Sequence, residues 1–79
     1  MTTKKYETTP AEQKTLDNNF IYHAPKPDQL PRYEVLRANA KVLAEMIHAL
    51  CPPSRERSTA LTHLETASFW ANASIARNE

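Results

Sequence analysis

Leu30-Pro-Arg-Tyr-Glu-Val-Leu-Arg-Ala-Asn-Ala-Lys-Val-Leu-Ala-Glu-Met-Ile-His-Ala-Leu50, followed by Cys51-Pro52-Pro53-Ser54, is the stretch that decides the fold. Tyr33, Leu36, Ala40, Leu43, Ile47 and Leu50 recur in alternating steps of three and four. That spacing predicts a helix from about Gln29 to Leu50 with a heptad seam. Asp28 is placed to cap it, and Pro31 is tolerated in the first turn, where its missing N–H has no intrahelical partner. Pro52 disfavours helical geometry at Cys51 and stops the helix, while Ser54 is a capping residue for the next one. A second long helix to about Arg77 follows, with Leu61, Leu64, Ser68, Ala71 and Ile75 on its seam. Ala60, Ala67 and Ala71 are small enough for close helix approach. The pair is an αα-hairpin.

Working outward, Phe20 to Leu30 (FIYHAPKPDQL) carries Pro25 and Pro27, which bias Ala24 and Lys26 toward extended geometry and make a stiff connector. Before it, Thr9-Pro10-Ala11-Glu12 combines a cap, a proline at the first helical position and a glutamate three residues after the cap. A short helix from about Pro10 to Asn18 is expected. With Ala11 and Leu16 as its chief apolar residues, it can dock but cannot organise a core. The reading is therefore an all-α protein, with residues 1–19 as a polar N-terminal segment containing the short helix and residues 20–79 as a single helical-hairpin domain.

A chain of 79 residues buries only about 60% of the surface it exposes when unfolded, so a self-sufficient core is marginal. The single cysteine, Cys51, has no intramolecular partner for a disulfide, and buried packing is its expected role. Val35, Val42, Met46, Phe69 and Trp70 fall beside the seams and widen each apolar face beyond what one hairpin partner covers. Self-association into a helical homo-oligomer is the remaining route to stability.

The absence of glycine removes the Walker loop and the Rossmann fingerprint, both of which need a backbone free of Cβ. Ten Lys+Arg against nine Asp+Glu give a net charge of +1, too little for a surface that tracks a DNA or RNA polymer. No run reaches the roughly 20 apolar residues that span a membrane, and the polar start MTTKKYETTP has no signal-peptide character, so a cytosolic location is expected. His23, His48 and His63 match no metal-ligand spacing, and neither Cys51 nor Glu45, Glu56 and Glu65 has activating partners in sequence. No metal, cofactor or catalytic constellation is implied. His48 and His63 read as solvated helix positions.

What remains is binding. Phe20, Tyr22, His23, Lys26, Arg32, Arg37 and Lys41 lie close in sequence, and the surplus positive charge falls between Arg32 and Cys51. Stacking rings with arginine suit a small nucleotide, since a stacked base contributes on the order of 1–3 kcal/mol and the guanidinium fork matches phosphate oxygens. A solvated face with an aromatic staple into the core accounts for the same residues.

Phe20-Ile21-Tyr22-His23-x-Pro25, Arg32-Tyr33-Glu34-x-Leu36-Arg37, Cys51-Pro52-x-Ser54-Arg55-Glu56 and Trp70-Ala71-Asn72-Ala73-x-Ile75-Ala76-Arg77 together resemble the small phage anti-CBASS proteins that act as cyclic-oligonucleotide sponges. The resemblance spans about residues 20 to 79. It implies a non-enzymatic protein that sequesters, without cleaving, cyclic dinucleotides such as cyclic GMP-AMP, and cyclic trinucleotides. It also implies action in the cytoplasm of the infected bacterial host and a hexamer arranged as a trimer of dimers. By the same resemblance Tyr22 stacks on a dinucleotide base, Arg37 stands where relatives use a lysine against phosphate, and His23 and Lys26 are adjacent contacts. Arg77 and Asn39 correspond to the trinucleotide pocket, Asn39 standing where a small hydroxyl residue is usual. The competing readings are a helical interaction or scaffold protein without a nucleotide ligand, a small DNA-binding regulator, and, last, an enzyme.

Overall fold

The computed structural model describes residues 4–79, which form three helices in the order α1 (Pro10–Asn19), α2 (Leu30–Leu50) and α3 (Arg55–Asn78). Among the described residues there is no strand, and the fold is all-α as expected. Both outer helix starts follow the sequence rules. Thr9 Oγ1 accepts from the Glu12 N–H at 3.1 Å and the Thr9 N–H donates to Glu12 Oε1 at 2.8 Å, a complete capping box. The two bonds to Thr9, backbone first, hold the Glu12 carboxyl below its ordinary range. Ser54 caps α3 by accepting from the Arg57 N–H at 3.1 Å.

The start of α2 differs from expectation. Asp28 does not cap it: Gln29 occupies the cap position, already in helical geometry (φ −82°, ψ −31°), with no side-chain cap bond. The reason is local. A turn closes from Gln29 N–H to Lys26 O at 2.9 Å, the Gln29 side chain folds back to accept from the Lys26 N–H at 2.9 Å, and Asp28 is drawn to Arg32 at 3.3 Å.

Pro52 acts as predicted. Cys51 is extended (φ −112°, ψ 140°), α2 ends at Leu50, and the chain reverses into α3. Arg57 closes the turn by donating to the carbonyls of His48 (3.1 Å) and Cys51 (3.2 Å), which the helix end leaves without intrahelical partners. Cys51 itself is exposed rather than buried, because this extended exit carries it past the region where the helices touch. His48 and His63 are exposed, as expected.

Packing of α2 against α3 makes the hairpin, but only half of the α2 seam faces inward. Tyr33, Ala40, Ala44 and Ile47 are half-buried, while Leu36, Leu43 and Leu50 are left 39%, 45% and 76% exposed. On α3 the whole expected seam is half-buried, and Ala67 alone of the three small residues stays outside it. Ala40 and Ala44 line a groove with Leu61, Leu64 and Ser68, so the small residues set the line of approach and the leucines fall to its flank.

No apolar side chain is fully buried, and Gln29 is the one buried polar residue among those described, at 3% exposure. The accessible surface is 6841 Å² for a 9.0 kDa chain. A compact monomer of that mass exposes about 4,900 Å², and its radius of gyration is about 12 Å. Here the radius is 17.7 Å, within an envelope of 49 × 35 × 20 Å. The apolar faces are thus wider than a single hairpin covers, as the sequence pattern implies.

Candidate functional site

The site lies at the open end of the hairpin, where the connector from α1 meets the start of α2 and the end of α3. Three contacts fix the connector's path. Asn18 Nδ2 donates to the Arg77 carbonyl at 3.1 Å and docks α1 on α3. His23 Nε2 lies 2.7 Å from the Asn18 carbonyl, which can only accept, so Nε2 carries the proton and a neutral ring leaves Nδ1 as an acceptor. The Lys26–Gln29 turn described above then delivers the chain into α2.

A second set of contacts ties that turn to the end of α3. Arg32 grips the Glu79 carboxylate with both terminal guanidinium nitrogens, Nη1 to Oε2 at 2.7 Å and Nη2 to Oε1 at 2.6 Å. Gln29 Nε2 donates to the same carboxylate at 3.2 Å, and Lys26 Nζ to the Glu79 backbone carbonyl at 2.8 Å. The Arg32 hydrogen bond, ahead of the one from Gln29, pulls the Glu79 carboxyl down to about 2, and the same pair raises Arg32 above the usual guanidinium range.

Between these anchor points the connector and α2 enclose an open cleft of about 380 Å³. Tyr22, His23 and Pro25 come from the connector, Tyr33, Glu34 and Arg37 from the first turns of α2, and Asn72 from α3. The Tyr22 ring is 84% exposed, so one face is free for a stacking partner. The cleft thus gathers three of the residues singled out in sequence, Tyr22, His23 and Arg37. It does not include Lys26, whose ammonium is engaged by Glu79. Tyr33, Glu34 and Asn72 are additional members that sequence reasoning passed over. Tyr33 counted only as a seam residue, and Asn72 becomes visible once the register of α3 against α2 is known.

A larger cleft of about 880 Å³ opens between α1 and α3. Lys14 and Asn18 line it from one side, and Trp70, Ser74 and Arg77 from the other. The Arg77 guanidinium lies 5.7 Å from the centroid of the Trp70 ring, a cation–π arrangement that holds the charge over the cleft wall. Asn39 is elsewhere. It sits mid-way along α2, exposed, with Nδ2 donating to the Val35 carbonyl at 2.8 Å, so one chain does not bring Asn39 and Arg77 together.

Stacking ring, guanidinium, imidazole and amide in one cleft form a chemistry suited to small nucleotide anions. The family model described as Acb2/Tad1, hairpin domain, matches residues 12–76. The chain belongs to this family, the anti-CBASS cyclic-oligonucleotide sponges. The match begins at Glu12, inside α1, rather than at Phe20 where the resemblance in sequence was drawn, and so takes in Asn18, the α1 residue that docks on α3. No curated protein and no solved structure matches the chain. Membership in the Acb2/Tad1 hairpin family carries an anti-CBASS nucleotide-sponge role. No helix among the described residues is long and apolar enough to cross a membrane.

Proposed function

We propose that this protein sequesters cyclic dinucleotides such as cyclic GMP-AMP in the Tyr22–Arg37 cleft, and cyclic trinucleotides through Arg77 and Asn39, releasing both intact. The observation that carries the reading is the convergence of Tyr22, His23 and Arg37 on one open cleft. Tyr22 stacks on a base and Arg37 faces phosphate, where its fork takes two oxygens at once. Lys26 contributes by anchoring the connector to α3 rather than by direct contact. The protein acts as a sink in the cytoplasm of the infected bacterial host, lowering free messenger by mass action. Residues 20–79 carry the binding domain, with the last turns of α1, from Lys14 onward, forming one wall of the Arg77 cleft.

Each site is completed by further copies of the chain. The surface in excess of a compact monomer's is about 2,000 Å², the scale of a stable interface. Val35, Val42, Met46, Phe69 and Trp70 remain between 49% and 66% exposed and supply its apolar part. A hexamer built as a trimer of dimers places two Tyr22–Arg37 clefts around one pseudo-twofold ligand and meets the need for Asn39 and Arg77 to come from different chains. Rigid helices and a proline-fixed connector keep the ordering cost of binding low.

Native mass spectrometry of the protein with a panel of cyclic di- and trinucleotides tests both statements together. Six subunits, with ligand recovered at its original mass after denaturation, is the expected result. A monomer, or an assembly that takes up none of the panel, leaves the scaffold reading in its place, and recovery of linear products overturns non-cleavage.

A further inference from the structure

Glu34 lies in the Tyr22–Arg37 cleft, one helical turn before Arg37 on the same helix. A carboxylate there repels the phosphates of any nucleotide that the cleft takes in. Elsewhere the described carboxylates near this end are engaged: Asp28 and Glu79 both pair with Arg32. Glu34 is different. Among the described residues it forms no ion pair and no side-chain hydrogen bond, and it is exposed to the cleft. An unneutralised acceptor in an anion site is tolerable when the ligand brings donors to it.

The ligand's donors are its ribose hydroxyls and its base edges, and a hydroxyl offers a single O–H, so a base edge is what can fill both carboxylate oxygens side by side. An ionised carboxylate is acceptor-only, with two oxygens placed to take two parallel N–H bonds. Guanine presents N1–H and the N2 amino group side by side on one edge. Adenine and cytosine present a single amino group beside a ring lone pair, and uracil an N–H between two carbonyls, so each sets a lone pair against the carboxylate. We propose that Glu34 is a specificity-determining residue that reads the N1/N2 edge of guanine and selects guanine-containing cyclic dinucleotides. The inference rests on the cyclic-dinucleotide reading of the cleft and assigns it three parts: Tyr22 for the base face, Arg37 for phosphate, Glu34 for the base edge.

The test compares cyclic di-GMP with cyclic di-AMP by isothermal titration calorimetry on the full chain and on Glu34→Gln. Because Glu34 is an exposed helix position, the variant is expected to keep the helical circular dichroism and subunit number of the wild type. A bidentate base contact is worth enough to give the wild type about a tenfold or larger preference for cyclic di-GMP. An amide offers one acceptor and one donor, the complement of adenine's N6–H and N1, so Glu34→Gln should weaken cyclic di-GMP by about tenfold and tighten cyclic di-AMP. Equal wild-type affinities, or equal changes for both ligands in the variant, overturn the role of Glu34 while leaving the cleft as a dinucleotide site. A wild type that binds neither ligand overturns the dinucleotide reading itself and this inference with it.

Discussion

The two clefts at the open end of the hairpin are built on opposite plans. The smaller draws its members from the connector and the first turns of α2, residues near one another in sequence, and a single chain assembles them around Tyr22. The larger lies between α1 and α3, draws on residues far apart in the chain, and holds Arg77 and Trp70 without Asn39. In the proposed assembly a second copy adds a symmetric half to the first cleft. The second cleft has its two sequence-marked residues on different parts of one chain's surface, and in the same proposal they meet across chains. The first should therefore respond to point changes as a local stacking site, and the second as a feature of the oligomer.

The largest expected effect breaks the first cleft alone. Tyr22→Ala removes a stacking ring worth on the order of 1–3 kcal/mol, so dinucleotide affinity should fall about 5- to 150-fold, and further if two rings sandwich one ligand. The ring is 84% exposed and touches no core, so the oligomer should persist on a sizing column. Unchanged affinity by calorimetry would remove the ring from the site. Next in size is Arg77→Ala, which should weaken trinucleotides about tenfold while sparing dinucleotides. Trp70 is the only tryptophan, and it lies under Arg77, so its fluorescence should change when a ligand enters the larger cleft and stay constant when the smaller one fills. Loss of both ligand classes in Arg77→Ala would mean that the clefts are one site.

Arg37→Lys is a finer probe. It keeps the charge and discards the fork, so dinucleotide affinity should drop only about threefold to tenfold, with a steeper dependence on salt as a bidentate contact becomes a point charge. A variant that binds as well as the wild type would show that Arg37 acts through charge alone.

How much of this was legible in sequence follows the same division. The helices, the Pro52 stop, the Thr9 and Ser54 caps and the connector all depend on neighbours within a few residues, and the residues state those preferences directly. Asp28 misleads because a turn internal to the connector commits Gln29 to helical geometry first. Leu36 and Leu43 mislead because a heptad marks an apolar face without saying which line of it meets the partner, and here Ala40 and Ala44 decide that line. Asn72 was recoverable. In a tight hairpin of two regular helices, residues equidistant from the Pro52–Pro53 turn face each other, which sets Asn72 opposite Tyr33 and Leu61 opposite Ala44. No such rule places Glu79 against Arg32, since that pairing depends on how the chain ends are laid down in space, and none brings Asn39, mid-way along α2, to Arg77.

The Glu79–Arg32 grip sharpens the comparison at its smallest scale, because it anchors the connector that serves the first cleft and leaves the second untouched. The Glu79 carboxyl is held at about 2, below its ordinary 4.5, so the folded form binds the proton less readily than the unfolded chain does. The grip's contribution is therefore fully present above about pH 4.5 and is lost as pH falls toward 2. Amide hydrogen exchange at Lys26 and Gln29, corrected for its intrinsic pH dependence, should accelerate over that window in the wild type. Glu79→Gln should show the faster exchange already at neutral pH, with no further step on acidification, and a loss of dinucleotide affinity of about twofold to threefold that leaves trinucleotides unaffected. An acid step that persists in Glu79→Gln would assign the connector's order to other carboxylates, Asp28 first among them, since it shares Arg32 at 3.3 Å.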